Sequence, residues 1–228
     1  MVLAILLALL TLITACSRHD AGHSAYKSKD MLGAFQAWEE CSKSGDAECQ
    51  FDLGMMYLNG EGRPVDVKTG IDWLSRSAGK GYTSAQNRLG ILYLNGKVVT
   101  RDYARAMEYF MAAATRGFPA GQANVGLIYW RGYGVPVDLS EAFAWSEAST
   151  QKLASGAKQR DEIVKQMSGE QWAKGRDRAL QLKKLYQPPS NFPWMLAIEI
   201  ASTGVTFIIA ILMLWGLIKT KLMPRFTS

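Results

Sequence analysis

Three features of the sequence point to an all-α chain: an α/α solenoid of about three 36-residue helix-turn-helix repeats, with terminal capping helices and one C-terminal transmembrane helix. The first is self-similarity at a fixed period. Gly54, Gly90 and Gly126 lie 36 residues apart, as do Tyr57/Tyr93/Tyr129, Gly60/Gly96/Gly132, Asp66/Asp102/Asp138 and Trp73/Tyr109/Trp145. Columns of this kind mark stacked units, each of which buries its apolar face only against its neighbours. The second is helical punctuation inside every unit, with a glycine closing one helix and an aspartate opening the next. The third is the apolar run from Met195 to Ile218, which carries a single charge, Glu199. With 228 residues, 48% hydrophobic and 20% charged, the chain is neither disordered nor polytopic.

Residues 1–15 carry no charge. They fall short of the roughly 20 residues that span a bilayer and suit the apolar core of a signal peptide. The run closes as Leu12-Ile13-Thr14-Ala15-Cys16, which resembles the lipobox of bacterial lipoproteins. That resemblance implies cleavage before Cys16 and acylation of its thiol; an ordinary cleaved signal is the alternative. Residues 16–29 read as a linker. This stretch holds both histidines of the chain, His19 and His23. A flexible linker offers no fixed geometry, so neither a metal site nor histidine-dependent catalysis is expected.

Asp30, Ala34 and Gly45 fall on the repeat columns, so residues 30–46 read as the second helix of a preceding half-repeat. Three full units follow over 47–153. Leu53/Leu89/Val125 and the tyrosines four residues later share one face of a first helix. Gly54, Gly90 and Gly126 leave room for a second helix to approach. Gly60, Gly96 and Gly132 suit the left-handed position that ends the first helix. Asp66, Asp102 and Asp138 suit the N-cap of the second, and Asp138-Leu-Ser-Glu141 reads as a capping box. Ala106 and Ala142 are small contact positions, with Gly70 the weaker member. Gly81 and Gly117 end second helices. Val98 replaces a loop glycine in the second unit, and Leu153 a terminal glycine in the third.

Residues 154–187 read as basic capping helices, one over 154–167 and a last one opened by Ser168-Gly-Glu-Gln171 and running to about Tyr186. Their amphipathic pattern supplies the polar outer face that a terminal unit needs. Residues 152–190 hold nine basic and four acidic side chains, whereas 17–151 hold 14 basic and 15 acidic. A basic excess beside an apolar run fits anionic headgroups, and no nucleic-acid partner is expected. Pro188, Pro189 and Pro193 break the chain over 188–194. At about 1.5 Å per residue the 195–218 run is long enough to cross a membrane. Trp194 and Trp215 lie near its ends, and residues 219–228 form a basic cytoplasmic tail. Ala197, Ala201 and Gly204 form a small-residue stripe on the span. Glu199, about one turn inside, either reaches the interface or meets a partner helix.

The segments DLGMMYLNG (52–60), RLGILYLNG (88–96) and NVGLIYWRG (124–132), with the aspartate and aromatic columns that follow, resemble the SEL-1-like repeat (SLR). The resemblance covers 47–153. It implies antiparallel helix pairs stacked into a right-handed superhelix, and a role as an adaptor that assembles complexes. In the cysteine-rich branch of that family, the spacing of Cys41 and Cys49 carries a disulfide across the turn. Two buried thiols are the alternative. A helical hairpin can meet the Cα separation of roughly 5.5–6 Å that a bridge needs, and export favours oxidation. Some relatives are penicillin-binding or β-lactam-hydrolysing, but the sequence is read as holding no Ser-x-x-Lys motif to support such chemistry, so no enzyme and no cofactor are expected. Asp52, Arg88 and Asn124 change chemistry from unit to unit, and Trp130 and Arg131 replace the Leu-Asn of the other two units. These five positions are the expected partner-binding surface. The combined expectation is a protein-binding adaptor at the bacterial cell membrane, lipid-anchored and single-pass, with its repeats on the periplasmic side. A cell-wall-glycan or small-ligand binder, or a β-lactamase-like enzyme, is the alternative.

Overall fold

The computed structural model describes residues 19–150 and 153–186, and all regular structure among them is helical. Helix α1 covers 19–27. It is followed by α2 (Met31–Lys43), α3 (Ala47–Asn59), α4 (Val67–Gly79), α5 (Thr83–Asn95) and α6 (Tyr103–Ala114). The series continues with α7 (Pro119–Arg131), α8 (Leu139–Ser149), α9 (Ala154–Val164) and α10 (Gly169–Tyr186). The expected transmembrane helix over 195–218, its contact residues Ala197, Glu199, Ala201 and Gly204, and the lipidation site Cys16 lie outside the described residues. Among the described residues no helix is long and apolar enough to cross a membrane.

The repeat columns form three helical pairs, α3/α4, α5/α6 and α7/α8, and each column has a measurable task. Gly60, Gly96 and Gly132 cap the first helices with φ of 73°, 66° and 68°, a region costly for any residue with a Cβ. The aspartate side chains accept from the backbone N–H of Thr69, of Arg105, and of Ser140 and Glu141. Each aspartate also donates its own N–H to the carbonyl of the column tyrosine, Tyr57, Tyr93 or Tyr129, at 2.9, 3.0 and 3.1 Å. The loop is thereby closed at both ends. This second bond corrects the capping box expected at Asp138. With the Asp138 N–H already given to Tyr129, Glu141 turns to Arg178, whose Nε lies 2.8 Å from its carboxylate. The box at Ser168 forms in both directions, at 2.9 and 3.2 Å. Val98 needs no left-handed backbone, and its loop still returns through Asp102 to Tyr93.

Close approach within a pair depends on missing side chains. A Cβ at Gly54 would lie 3.0 Å from the Gly70 carbonyl oxygen, and a Cβ at Gly70 would lie 2.9 Å from that of Gly54. Gly70 is therefore a tight backbone contact and not the weaker member of its column. In the next pair Gly90 faces the Phe110 ring, which a Cβ would meet at 2.6 Å.

A column the sequence reading passed over joins one unit to the next. Gln50, Gln86 and Gln122 are buried. Each donates its amide to the carbonyl eight residues back, that of Ser42, Ala78 or Ala114, at 3.4, 3.1 and 3.3 Å. Those carbonyls sit at helix C-termini, where intrahelical donors run out. Replacing Gln86 by Met keeps the volume and removes the donor, while Ala78 O retains its bond from Gly81 N–H. Urea unfolding of this variant should show a loss of about 1 kcal/mol.

Both ends of the array depart from expectation. The linker expected over 16–29 is helical over 19–27, because α1 has a packing partner in Trp38. Gly22 is buried against that indole, and a Cβ there would lie 2.5 Å from Trp38 Cδ1. The rings of His23 and Tyr26 lie 5.4 and 5.6 Å from that of Trp38. Residues 19–43 thus form a shortened helical pair and not half of one. The disulfide Cys41–Cys49, with Cα atoms 5.8 Å apart, joins the end of α2 to the start of α3. At the other end α9 stops at Val164, short of the expected 167, and α10 packs along α8. Leu182 enters the cluster of Phe110, Val125 and Trp145, and Tyr186 stacks on Trp145 at 5.8 Å. The outer face is not wholly polar: Trp172, Leu180 and Leu185 are exposed among its basic residues.

Candidate partner-binding surface

The first helices carry polar contacts that run from unit to unit. The Tyr82 hydroxyl donates to Glu48 at 3.3 Å, Asn124 Nδ2 to Asn87 Oδ1 at 2.8 Å and Gln159 Nε2 to the Ala123 carbonyl at 3.0 Å. Burial and the nearby Glu48 charge push the Tyr82 hydroxyl up to about 12. Three of the expected partner-binding residues belong to this layer. Asp52 lies beneath α1, with only 16% of its side chain exposed and its Oδ2 3.3 Å from His19 Nε2. Asn124 is engaged by Asn87. Arg88 is half-buried, and its Nε has no partner among the described residues. Variation at Asp52 and Asn124 therefore has an internal explanation, in the neighbour each must pair with. Asp52 and Asn124, expected on the partner-binding surface, thus lie half-buried in contacts between helices.

Trp130 and Arg131 are placed differently. Trp130 leans on the cluster of Phe143 and Ile163, and its Nε1 donates to Gln166 Oε1 at 3.3 Å. Arg131 is exposed, with its guanidinium 3.9 Å above the indole. The indole is held from below while its cationic partner faces solvent.

The tyrosine column, read from sequence as packing alone, also carries arginines. Arg63 lies 5.0 Å from the Tyr57 ring centre and donates to its hydroxyl at 3.0 Å. Arg105 does the same to Tyr93, at 5.4 and 3.3 Å, and Tyr93 stacks on Tyr109 at 5.9 Å. At Tyr129, burial and then the Glu141 charge raise the hydroxyl above its ordinary range, while Arg178 opposes them. Half-buried rings with bonded hydroxyls and overlying guanidinium groups are the residue types that dominate binding hot spots. The clue available in the sequence was that these tyrosines were never phenylalanine.

The described residues offer less to catalysis. Ser-x-x-Lys tetrads occur at Ser24–Lys27, Ser77–Lys80, Ser149–Lys152 and Ser155–Lys158, where the sequence reading assigned none. Ser77 is committed to the Ala47 carbonyl at 2.5 Å and Lys80 to that of Gly45. Ser149 is buried and donates to the Ser146 carbonyl at 2.7 Å, and the Ser24 and Ser155 pairs lie exposed on helix surfaces. One open depression, bordered by Tyr93, Arg101, Asp102 and Arg105, uses an aspartate already spent on a helix cap.

The two histidines, expected in a flexible linker, sit one turn apart on α1 against α3. His19 Nε2 lies 3.7 Å from Glu48 Oε1, and His23 Nε2 lies 3.8 Å from Asp52 Oδ2. Burial raises the Asp52 carboxyl to about 6 despite the opposing pull of both imidazoles.

Residues 47–82, 83–118 and 119–151 each match the Sel1 repeat. No curated protein matches the chain. Among solved structures, a protective antigen present in uropathogenic Escherichia coli strains and displaying an SLR fold is 28% identical, with a TM-score of 0.69 over 76% of this chain and 38% of that one. A Sel1 repeat protein from Oxalobacter formigenes is 26% identical, with a TM-score of 0.62 over 78% and 74% of the two chains. The present chain thus spans well under half the length of the antigen it resembles.

Proposed function

From three Sel1 repeats and neighbours of SLR fold, which support the SEL-1-like repeat family, we propose that this chain is an adaptor of the bacterial cell envelope. It binds protein partners through its repeat surface and is tethered at the membrane with the repeats outside the cytoplasm. Sel1 repeat proteins generally mediate protein–protein interaction. The observation that carries the reading here is the Arg131 guanidinium stacked 3.9 Å above Trp130, at a place where the other units carry Leu-Asn. An aromatic anchored from below and cationic above is ready for a partner at low entropic cost. The Cys41–Cys49 bridge supports an oxidising compartment. The apolar segments 1–15 and 195–218, with Cys16 between signal and repeats, support a tether. The near balance of charge over 17–151, 14 basic against 15 acidic, supports a protein partner over nucleic acid. The role is non-enzymatic and needs no cofactor.

The test is crosslinking in intact cells followed by purification of the chain with whatever it holds. Changing Trp130 and Arg131 together to alanine should weaken capture by tenfold or more, on the order of 2 kcal/mol for a hot-spot pair. Helicity should be preserved, because Arg131 is exposed and Trp130 only half-buried. Undiminished capture by the double variant would remove this surface from the account.

A further inference from the structure

We propose that His19, His23 and Asp52 form a binding site for a divalent transition-metal ion, zinc foremost, that ties α1 to α3. Both histidines of the 228-residue chain lie here, four residues apart on one face of α1. Their Nε2 atoms converge on the same oxygen, Asp52 Oδ2, at 3.3 and 3.8 Å. One ligand atom from each of the three residues falls within 4.8 Å of the others. Tetrahedral zinc bonds its ligands at about 2.0–2.1 Å, which sets those ligands about 3.4 Å apart. The site therefore closes around an ion with small side-chain adjustments. Both imidazoles lie within ion-pair distance of Asp52, but a single carboxylate needs only one cationic partner, and at 3.8 Å His23 makes no hydrogen bond to it. A metal ion gives two imidazoles aimed at one oxygen a common purpose.

The surroundings agree with a cation. The side chains of His19 and Asp52 are only 15% and 16% exposed, so the carboxylate is withdrawn from water. Glu48, one turn before Asp52 on α3 and 3.7 Å from His19, stands where an outer partner would. Trp38 buttresses His23 edge-on at 5.4 Å. Two nitrogens and an oxygen suit zinc, copper or nickel, whereas calcium and magnesium take oxygen ligands. A cation here would fix the leading helix to the first repeat. This inference does not rest on the adaptor role.

The experiment uses the full chain with a histidine-free affinity tag, stripped by chelation, then titrated with Zn²⁺ by calorimetry and with Co²⁺ by visible absorption. One ion should bind per chain, Co²⁺ should show a ligand-field band that Zn²⁺ displaces, and Zn²⁺ should raise the unfolding temperature. Outer-shell changes at metal sites already cost about 10- to 100-fold in affinity. His19→Ala, His23→Ala and Asp52→Asn should therefore each weaken binding by about 100-fold or more. His23→Gln keeps a side chain against Trp38, so it should lose the cobalt band while its metal-free unfolding temperature stays near that of the parent. Equal Zn²⁺ binding by the parent and the His19/His23 double variant would overturn the proposal. So would unfolding temperatures that do not differ between chelated and Zn²⁺-supplemented parent, the mark of a histidine–carboxylate pair and nothing more.

Discussion

Replacing Phe110 with alanine should lower the stability of the repeat body by about 3–5 kcal/mol, the cost typical of a buried Phe→Ala change. Phe110 is 0% exposed. Its ring fills the space left by Gly90 and joins a cluster that includes Val125 and Ile128 of α7, Trp145 of α8 and Leu182 of α10. The cluster around Phe110 thus draws on its own unit, the next unit and the terminal helix. Gly90, which faces the ring, has no side chain to move into the cavity. Chemical unfolding followed by circular dichroism reads the loss directly, and fluorescence of Trp145 should follow the same transition. A loss below about 1 kcal/mol would mean that the site collapses without cost and that the units are coupled elsewhere.

Removing the disulfide should have the next largest effect. Cys41 and Cys49 are separated by eight residues and both are fully buried. Closing so short a loop constrains the unfolded chain by about 2.5 kcal/mol. The Cys41→Ala/Cys49→Ala variant should unfold earlier, with the loss confined to α1, α2 and α3, since stacked repeats lose contacts locally. A reductant should lower the unfolding temperature of the parent and leave the variant unmoved. Equal response of the two would exclude a stabilising bridge.

The parts of this architecture that were legible in the sequence are those repeated in it. Gly60, Gly96 and Gly132, and Asp66, Asp102 and Asp138, each do one backbone task three times, so the period exposes the task. The pairing of Cys41 with Cys49 followed from the resemblance to a family and not from spacing. Helix α1 lies outside the period and has no apolar stripe of its own. It is helical because Trp38 receives Gly22, a long-range contact that local pattern does not carry. The pairing of Asp52 was not legible for the same reason: its neighbour in space, His19, belongs to a segment read as linker. The glutamines 50, 86 and 122 were legible, since three identical polar residues at one period beside small residues imply a repeated buried bond. Arg63 and Arg105 come from a loop and a second helix, so no column unites them, and only their meeting with the tyrosines does.

The repeat surface at Trp130–Arg131 is expected to receive a protein partner. The most direct measurement is site-specific photocrosslinking in living cells, with a photoreactive amino acid placed at Arg131 and, in a separate chain, at the exposed Lys158. A discrete adduct at 131 that is absent at 158, and that disappears when Trp130 is changed to alanine, is the predicted result. The same adducts at both positions, or none at 131, would contradict it.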